Sequence, residues 1–173
     1  MLKANFITAQ EAAEKIQDGS TLCTIGMTLV SASESILKAI EKRFEMVGHP
    51  ADITLVHSCG QSDRKDGIQH LAHEGLVKRI VGSHWGLQPR WMEMIANSQV
   101  EAYCLPQGQI AQLYRSMACG LPGKMSKVGL GTFIDPRVEG GKMNDRTKPL
   151  PDIVDILEYG GEDYMFYKEI PLD

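Results

Sequence analysis

Short apolar runs of strand length alternate with helical segments along most of this chain, and the connections between them are short. The runs lie at residues 21–25, 52–57, 77–81 and 100–105. Between them, residues 35–47 and 89–98 carry apolar side chains at the spacing of an amphipathic helix. Such an alternation predicts an α/β fold, in which an open, mainly parallel sheet has flanking helices and right-handed crossovers.

Three further helical segments are predicted from local signals. Thr8 and Glu11 have the spacing of a capping box, which predicts a short helix over residues 11–16. Residues 71–76 predict a short helical turn, and residues 109–118 predict a helix that follows the fourth strand. Each segment is bounded by a nearby glycine, as is usual where a helix ends.

The tail of the chain breaks the alternation. It predicts, in order, a Gly-rich turn that leads into an extended stretch (129–137), a loop (139–144) and two strands (153–158 and 163–168). Gly160-Gly161 between the two strands predicts a hairpin turn. The last strand has no evident partner at its outer edge, so we expect that sequence after residue 173 is missing.

Composition excludes several classes of partner. The net charge is −4 without a cluster of basic residues, which argues against nucleic acid and anionic membranes. No apolar run reaches the roughly 18 residues that a spanning helix needs. The first six residues carry one positive charge and no apolar stretch follows, so we expect neither a signal peptide nor a transit peptide. These observations predict a cytoplasmic protein.

Cysteine and histidine spacing gives no sign of a disulfide framework or a metal site. No C-x-x-C pair occurs, and we interpret the cysteines as buried free thiols: Cys23, Cys59, Cys104 and Cys119. His70 and His73 are three residues apart, but no further ligands occur at a matching spacing. We interpret that pair as part of a solvated helix face and predict no metal.

Most of the predicted strands run into a Gly-bearing loop, and the carboxyl ends of parallel strands are where open α/β sheets bind ligands. Pro106-Gln107-Gly108 lies at such a place. The amide of Gln107 is a neutral donor that can stabilise an oxyanion when a thioester carbonyl is attacked. Taken alone, its residue type and position are more typical of a side chain that bonds the local backbone at a helix start.

Other candidate loops carry weaker local signals. His84 and Trp85 lie between two glycines, which fits a substrate wall or, more commonly, an aromatic packed beside its neighbour. Gly129 and Gly131 fit a tight turn that needs positive φ. The chain has neither a P-loop nor a dinucleotide-binding fingerprint.

Five Gly-centred blocks occur in an order that carries a family resemblance. They are residues 74–79, 82–86, 105–108, 129–137 and 140–144. Together, over residues 8–168, they resemble family I coenzyme A transferases, most of all the fused acetate or propionate CoA-transferases. The resemblance implies the fold of that family, with an extended, hairpin-containing region at the carboxyl end.

The resemblance also implies an acyl-CoA:carboxylate CoA-transferase that acts on short-chain acids and serves fatty acid or ketone body metabolism. A glutamate attacks the thioester and becomes a glutamyl-CoA intermediate. In the family this glutamate belongs to a second, beta half, fused or separate, and no glutamate here matches it. Coenzyme A and acyl-CoA are then substrates, no cofactor is permanently bound, and a homo-oligomer is expected.

What the resemblance assigns to this chain is one wall of a cleft between two halves. Gln107 matches the glutamine that faces the thioester. The residues expected to bind substrate are Gly26, Met27, Thr28, Ser83, His84, Trp85, Gly86, Gly108, Gly129 and Gly131. The loop at Gly26 departs from the family, because Met27 and Leu29 are bulkier than the glycines often found there, which would narrow the acyl pocket.

Residues 1–173 thus read as an amino-terminal transferase domain that we expect to be truncated and, alone, inactive. An acyl-CoA hydrolase of the same fold remains an alternative, and so does a ligand-binding or oligomerisation module that has lost the chemistry. A sugar-phosphate isomerase is disfavoured, because no cluster of Lys or Arg lies at the glycine loops.

Overall fold

Two sheets organise the chain in the computed structural model, which describes residues 4–173. The first sheet is parallel and contains, in spatial order, Thr21–Thr24 (β1), Ile53–His57 (β2), Val77–Gly82 (β3) and Glu101–Cys104 (β4). The second sheet is antiparallel, with Glu162–Lys168 (β7) between Gly123–Ser126 (β5) and Val154–Tyr159 (β6). The predicted α/β class is confirmed, and so is the predicted hairpin.

The helices are Ala9–Glu14 (α1), Glu34–Val47 (α2), Pro89–Ala96 (α3) and Gln107–Ala118 (α4), with a 3₁₀ helix at Gly67–Leu71. The predicted capping box is present, since the Thr8 hydroxyl accepts from the Glu11 amide and the Glu11 carboxylate accepts from the Thr8 amide. Pro89 occupies the first turn of α3, where its missing N–H costs no hydrogen bond. No helix within residues 4–173 is long and apolar enough to cross a bilayer.

Side chains of the parallel sheet project alternately to its two faces, and each face has its own core. One aligned row consists of Leu22, Leu55, Ile80 and Ala102 and packs against α1, α2, α3 and the 3₁₀ helix. The next row contains Val56, Val81 and Tyr103 and packs with Ile110 of α4 and with the second sheet. The parallel sheet is therefore the middle layer of three.

The last strand was predicted to lack a partner, and that prediction is wrong. β7 is the central strand of its sheet and pairs on both sides. The missing partner is β5, whose sequence Gly-Lys-Met-Ser is too short and too polar to read as a strand. The outer edge of β4 is also covered, because Cys104 N donates to Gly141 O and Met143 N donates to Ala102 O.

Two further local predictions need correction. The helical turn expected at residues 71–76 lies earlier, as the 3₁₀ helix at Gly67–Leu71. The extended stretch expected after residue 131 is instead a series of turns. The buried carboxylate of Asp135 organises these turns, since it accepts from Gly131 N and from Arg137 N. The hydrogen bonds from the Arg137 guanidinium hold the pKa of Asp135 well below its usual value.

The cysteines and the histidine pair also differ from expectation. None of the four cysteines forms a disulfide, but Cys119 is exposed and the others are half-buried rather than buried. His70 and His73 do not lie on a solvated helix face, because their side chains are only 13% and 26% exposed. Both contact Glu41 of α2, a contact that sequence spacing does not reveal.

His70 joins α2 to the 3₁₀ helix through both of its ring nitrogens. Nδ1 lies 2.5 Å from Glu41 Oε2 and Nε2 lies 2.8 Å from Glu34 Oε1. Two carboxylates at these distances require a proton on each nitrogen, which favours the imidazolium form. Burial works against that charge, but the bonds to Glu34 and Glu41 outweigh it and raise the pKa of His70.

The partners of His70 carry their own charge balance. Burial would raise the pKa of Glu41, yet the bonds from His73 and His70 outweigh it, and that pKa is lowered. Arg90 of α3 lies 3.6 Å from Glu41, and Lys38 lies 3.0 Å from Glu34 and 3.2 Å from Asp66. The cluster therefore ties α2, the 3₁₀ helix and α3 together by alternating charges.

We expect this cluster to make stability depend on pH with a defined sign. The stability that His70 contributes is complete below its usual pKa of 6.5 and is lost as pH rises through the higher pKa of the folded state. Between about pH 6 and about pH 8.5, the free energy of unfolding should therefore fall less for His70→Gln than for the unsubstituted chain. The difference should be on the order of 1 kcal/mol. Denaturant titrations across that range measure it.

His49→Gln is the matched control, because His49 pairs with Asp18 at the surface, where both side chains are about half exposed. It should keep the pH slope of the unsubstituted chain. Equal slopes for the unsubstituted chain and His70→Gln would show that His70 is not the group that titrates.

Candidate functional site

The candidate site lies where the parallel strands end. Four loops begin at this edge, one after each strand: residues 25–33, 58–66, 83–88 and 105–106. The loop after β3 leads to α3 on one face, whereas the loop after β4 leads to α4 on the other face. In open α/β sheets, adjacent parallel strands whose connections diverge in this way usually have a ligand-binding crevice between them. We infer the candidate crevice from this topology.

Gln107 stands at the β4 side of this crevice, as the first residue of α4. Its side chain is exposed and forms no hydrogen bond within residues 4–173. The structure therefore does not show the alternative role, in which the Gln107 side chain bonds the backbone at the helix start. The amide is free to donate to a ligand, and it lies beside the unpaired first N–H groups of the helix.

Gly108 follows in the first turn of α4 and is also exposed. A Cβ at this position would meet no atom within 4 Å, and its φ is not positive. Neither packing nor backbone conformation within the chain requires glycine here. The absence of a side chain leaves the helix start open to close approach by a ligand.

The loop after β3 forms the other side of the crevice. Ser83 Oγ donates to Ser58 O, which ties this loop to the one after β2. The fully buried Gln88 closes the loop, since its amide, oriented to satisfy its partners, donates to His84 O at 3.0 Å. Trp85 supports the loop from below, where its ring meets His57 edge-on with centroids 5.9 Å apart.

His84 itself is exposed and lies between two glycines. A Cβ at Gly60 would come within 2.9 Å of His84 Nδ1, and a Cβ at Gly86 would come within 2.9 Å of His84 Nε2. Both glycines thus leave the space that the imidazole ring occupies. Of the two residues, Trp85 packs in the interior as expected, whereas the ring of His84 is exposed.

The loop after β1 lies against the loop after β2, because Thr28 N donates to Gly60 O at 3.0 Å. Gly26 has φ +149°, and a Cβ there would come within 2.8 Å of Val30 O. Only glycine fits that position without strain. Met27 and Thr28 are exposed, so the departure from a Gly-rich loop places an apolar side chain at the site rather than in the core.

Sequence reasoning missed His57, which lies under the loops as the last residue of β2. It is fully buried, and its Nδ1 lies 2.9 Å from Cys59 O while its Nε2 has no partner within residues 4–173. Burial lowers the pKa of His57 to about 4, so the ring is neutral near pH 7. The signal for His57 in the sequence was a polar residue at the end of an apolar strand.

Gly129 and Gly131 lie apart from these loops. Both have positive φ, +99° and +69°, which confirms the tight-turn reading. Gly129 packs under the hydroxyl of Tyr167, which donates to Val128 O at 2.6 Å. Within the described range, no hydrogen bond of residues 129–131 reaches a loop that follows β1 to β4. Their predicted contact with substrate stays a prediction.

Among the described residues, two side-chain groups have the geometry of metal ligands: Glu34, Asp66 and His70, and Glu41, Glu45 and His73. The ligand atoms of Glu34, Asp66 and His70 lie within 4.8 Å of one another. The ammonium group of Lys38 already contacts both carboxylates, and His70 is paired on both nitrogens. Because the charges are balanced by side chains of the chain itself, we assign the first group a structural role.

Comparisons with known proteins agree on one family. The family described as Coenzyme A transferase matches residues 6–171. Caffeate CoA-transferase of Acetobacterium woodii is 42% identical over 171 residues, which is 98% of this chain and 32% of that protein. Acetate CoA-transferase YdiF of Escherichia coli K12 is 37% identical over 169 residues, which is 96% of this chain and 32% of that protein.

The solved structures give the same result. The acyl-CoA transferase YdiF of Escherichia coli O157:H7, in a thioester complex with CoA, superposes with a TM-score of 0.90 at 35% identity. The match covers 96% of this chain and 33% of YdiF. The chain therefore spans about a third of the length of these relatives.

The contact between His57 and Gly82 generates a prediction about the frame of the site. An added Cβ at Gly82 would overlap with His57 Nε2, and neither residue has free space around it. We expect Gly82→Ala to lower the free energy of unfolding by about 1–3 kcal/mol through overpacking. Gly108→Ala is the control and should not destabilise the chain, because no atom lies near its Cβ.

Urea or thermal unfolding of both variants measures the difference. The double variant Gly82→Ala with His57→Ala should destabilise less than the sum of the single changes, because the smaller residue relieves the overlap. Equal stability of Gly82→Ala and Gly108→Ala would disprove the close contact.

Proposed function

Because the chain belongs to the coenzyme A transferase family, we propose that it forms the alpha-like part of an acyl-CoA:carboxylate CoA-transferase. The second, beta half, fused or separate, would supply the nucleophilic glutamate. The observation that carries the proposal is the exposed, unbonded amide of Gln107 at the start of α4, where the connections after β3 and β4 diverge to opposite faces. The relatives that match the chain are themselves named CoA-transferases.

The proposed reaction moves CoA in two symmetric stages. The glutamate carboxylate attacks the thioester carbonyl carbon, the C–S bond breaks, and CoA leaves as a thiolate. The thiolate then attacks the glutamyl carbonyl of the mixed anhydride, which releases the first acid as a carboxylate and leaves a glutamyl-CoA thioester. A second carboxylate enters and the same two steps run in reverse, so no oxidant, metal or net proton is needed.

Gln107 has a defined part in this scheme. Each attack on a carbonyl carbon places negative charge on its oxygen, and a neutral amide donor stabilises that charge without a proton transfer. The exposed, unbonded amide of Gln107 at the start of α4 is suited to this task. The N-terminal end of the helix adds favourable partial positive charge.

The remaining features of the proposal follow from the family. Coenzyme A and acyl-CoA act as substrates, and no cofactor is permanently bound. Short-chain acids such as acetate or propionate are the proposed acyl groups, in a cytoplasmic, oligomeric enzyme of short-chain fatty acid or ketone body metabolism. The exposed, apolar Met27 favours contact with the acyl group, as the position of its loop beside Gly60 suggests.

The proposal is tested by locating the covalent intermediate. The chain is assembled with its second half and incubated with acetyl-CoA, and mass spectrometry of the digested protein finds any peptide that carries CoA. We expect the adduct on a glutamate outside residues 1–173. An adduct on this chain would refute the division of roles, and steady loss of acetyl-CoA without an acceptor acid would favour the hydrolase.

Gln107→Ala in the assembled enzyme should lower kcat by roughly 10- to 1000-fold, because one oxyanion donor is lost while the exposed side chain contributes little to the fold. Steady-state kinetics with acetyl-CoA and an acceptor acid measure it. Gln112→Ala, an exposed glutamine farther along the same helix, is the matched control and should keep the original rate. An unchanged rate in Gln107→Ala would remove this residue from the site.

A further inference from the structure

His84 is an exposed histidine whose ring forms no hydrogen bond within residues 4–173, although the residues around it are tightly organised. The other four histidines each contact a protein acceptor: His49, His57, His70 and His73. An exposed imidazole that is not paired within the chain has its hydrogen-bonding capacity available for a ligand.

Two glycines leave room for the ring, and the backbone beneath it is held by a hydrogen bond. Gly60 and Gly86 leave the space that the imidazole occupies, since a Cβ at either would come within 2.9 Å of a ring nitrogen. The backbone of the same residue is fixed, because the buried amide of Gln88 donates to His84 O. Because the backbone of His84 is held, only the side-chain torsions lose freedom when a ligand binds.

The segments on the two sides of the crevice offer hydrogen-bond donors. Residues 83–88 and 105–108 include neither Asp nor Glu. The Gln107 amide and the first N–H groups of α4 offer further donors after the neighbouring strand β4. The two acidic residues of the neighbouring loop, Asp63 and Asp66, are engaged with the Lys65 amide and with Lys38. Hydrogen-bond donors without a competing carboxylate fit an anionic ligand.

We propose that His84 donates a hydrogen bond to an anionic oxygen of the substrate, either the carboxylate of the acid or a phosphate of coenzyme A. This inference rests on the proposed function, which supplies both anions. It adds the chemistry that His84 recognises and makes Gly86 a positioning residue that acts through the ring, since the nearest atoms to a Cβ at Gly86 are all in that ring.

The test compares His84→Leu and His84→Gln in the assembled enzyme, by varying acetyl-CoA and the acceptor acid separately. His84→Leu should raise one Michaelis constant by about 10-fold or more while kcat changes less, as expected for the loss of a charge-assisted hydrogen bond. His84→Gln should recover part of that loss, because its amide can still donate. His49→Gln should leave both constants unchanged, since His49 pairs with Asp18 away from the crevice.

The affected constant identifies the anion. A rise confined to the acid assigns the carboxylate, and a rise confined to acetyl-CoA assigns a phosphate, which acetyl-dephospho-CoA then tests at the 3′ position. Unchanged constants for both substrates in His84→Leu, with its thermal unfolding unaltered, would overturn the inference.

The positioning role of Gly86 is tested by a separate measurement. Gly86→Ala should raise the same constant in the parent enzyme, since the added methyl group displaces the ring. In the His84→Leu background, Gly86→Ala should add nothing, because the group through which it acts is gone. Equal effects in both backgrounds would show that Gly86 acts without His84.

Failure of the proposed function is recognised separately. An assembled enzyme that transfers no CoA from acetyl-CoA, yet binds CoA or acetate by calorimetry, refutes the reaction and not the role of His84. In that case weaker binding of the same probe to His84→Leu supports the inference, and equal affinity for both CoA and acetate refutes it.

Discussion

The alignment of four parallel strands at their carboxyl ends is the constraint on which the site depends. The register places Thr24, His57, Gly82 and Cys104 in one row across the sheet. His57 occupies the space that a side chain at position 82 would fill, so β2 and β3 can approach only with glycine there. Because the strands end at one level, the four loops begin at one level and can contact each other.

The loops are then held by a short series of backbone contacts centred on Gly60. Its carbonyl accepts from Thr28 N, and its missing side chain leaves the place for the ring of His84. Ser83 adds a second tie through its hydroxyl to Ser58 O. Three loops from three different strands are therefore connected to one another, and the next strand, β4, leads to the helix start that carries Gln107.

Much of the sheet was readable from the sequence, because β2, β3 and β4 are apolar runs of strand length and α2 and α3 have a helical period. β5 was not readable, since its pairing with β7 depends on residues far along the chain rather than on its own composition. Tertiary contacts likewise decide that His70 meets Glu41 across 29 residues. Among the site residues, loop order indicated Gln107 and His84, but it could not separate Trp85, which supports the loop from beneath, from His84, which faces outward.

The short segment at residues 141–143 that bonds to β4 also has a consequence for folding during synthesis. A parallel strand with an open edge offers a row of unpaired N–H and C=O groups to any neighbouring chain. That row at β4 stays available until residues 141–143 have emerged and docked, because Gly141 and Met143 supply its bonds. We therefore expect the nascent chain to be exposed to aggregation at this edge over that interval, and changes that slow docking of the segment to reduce the yield of folded protein.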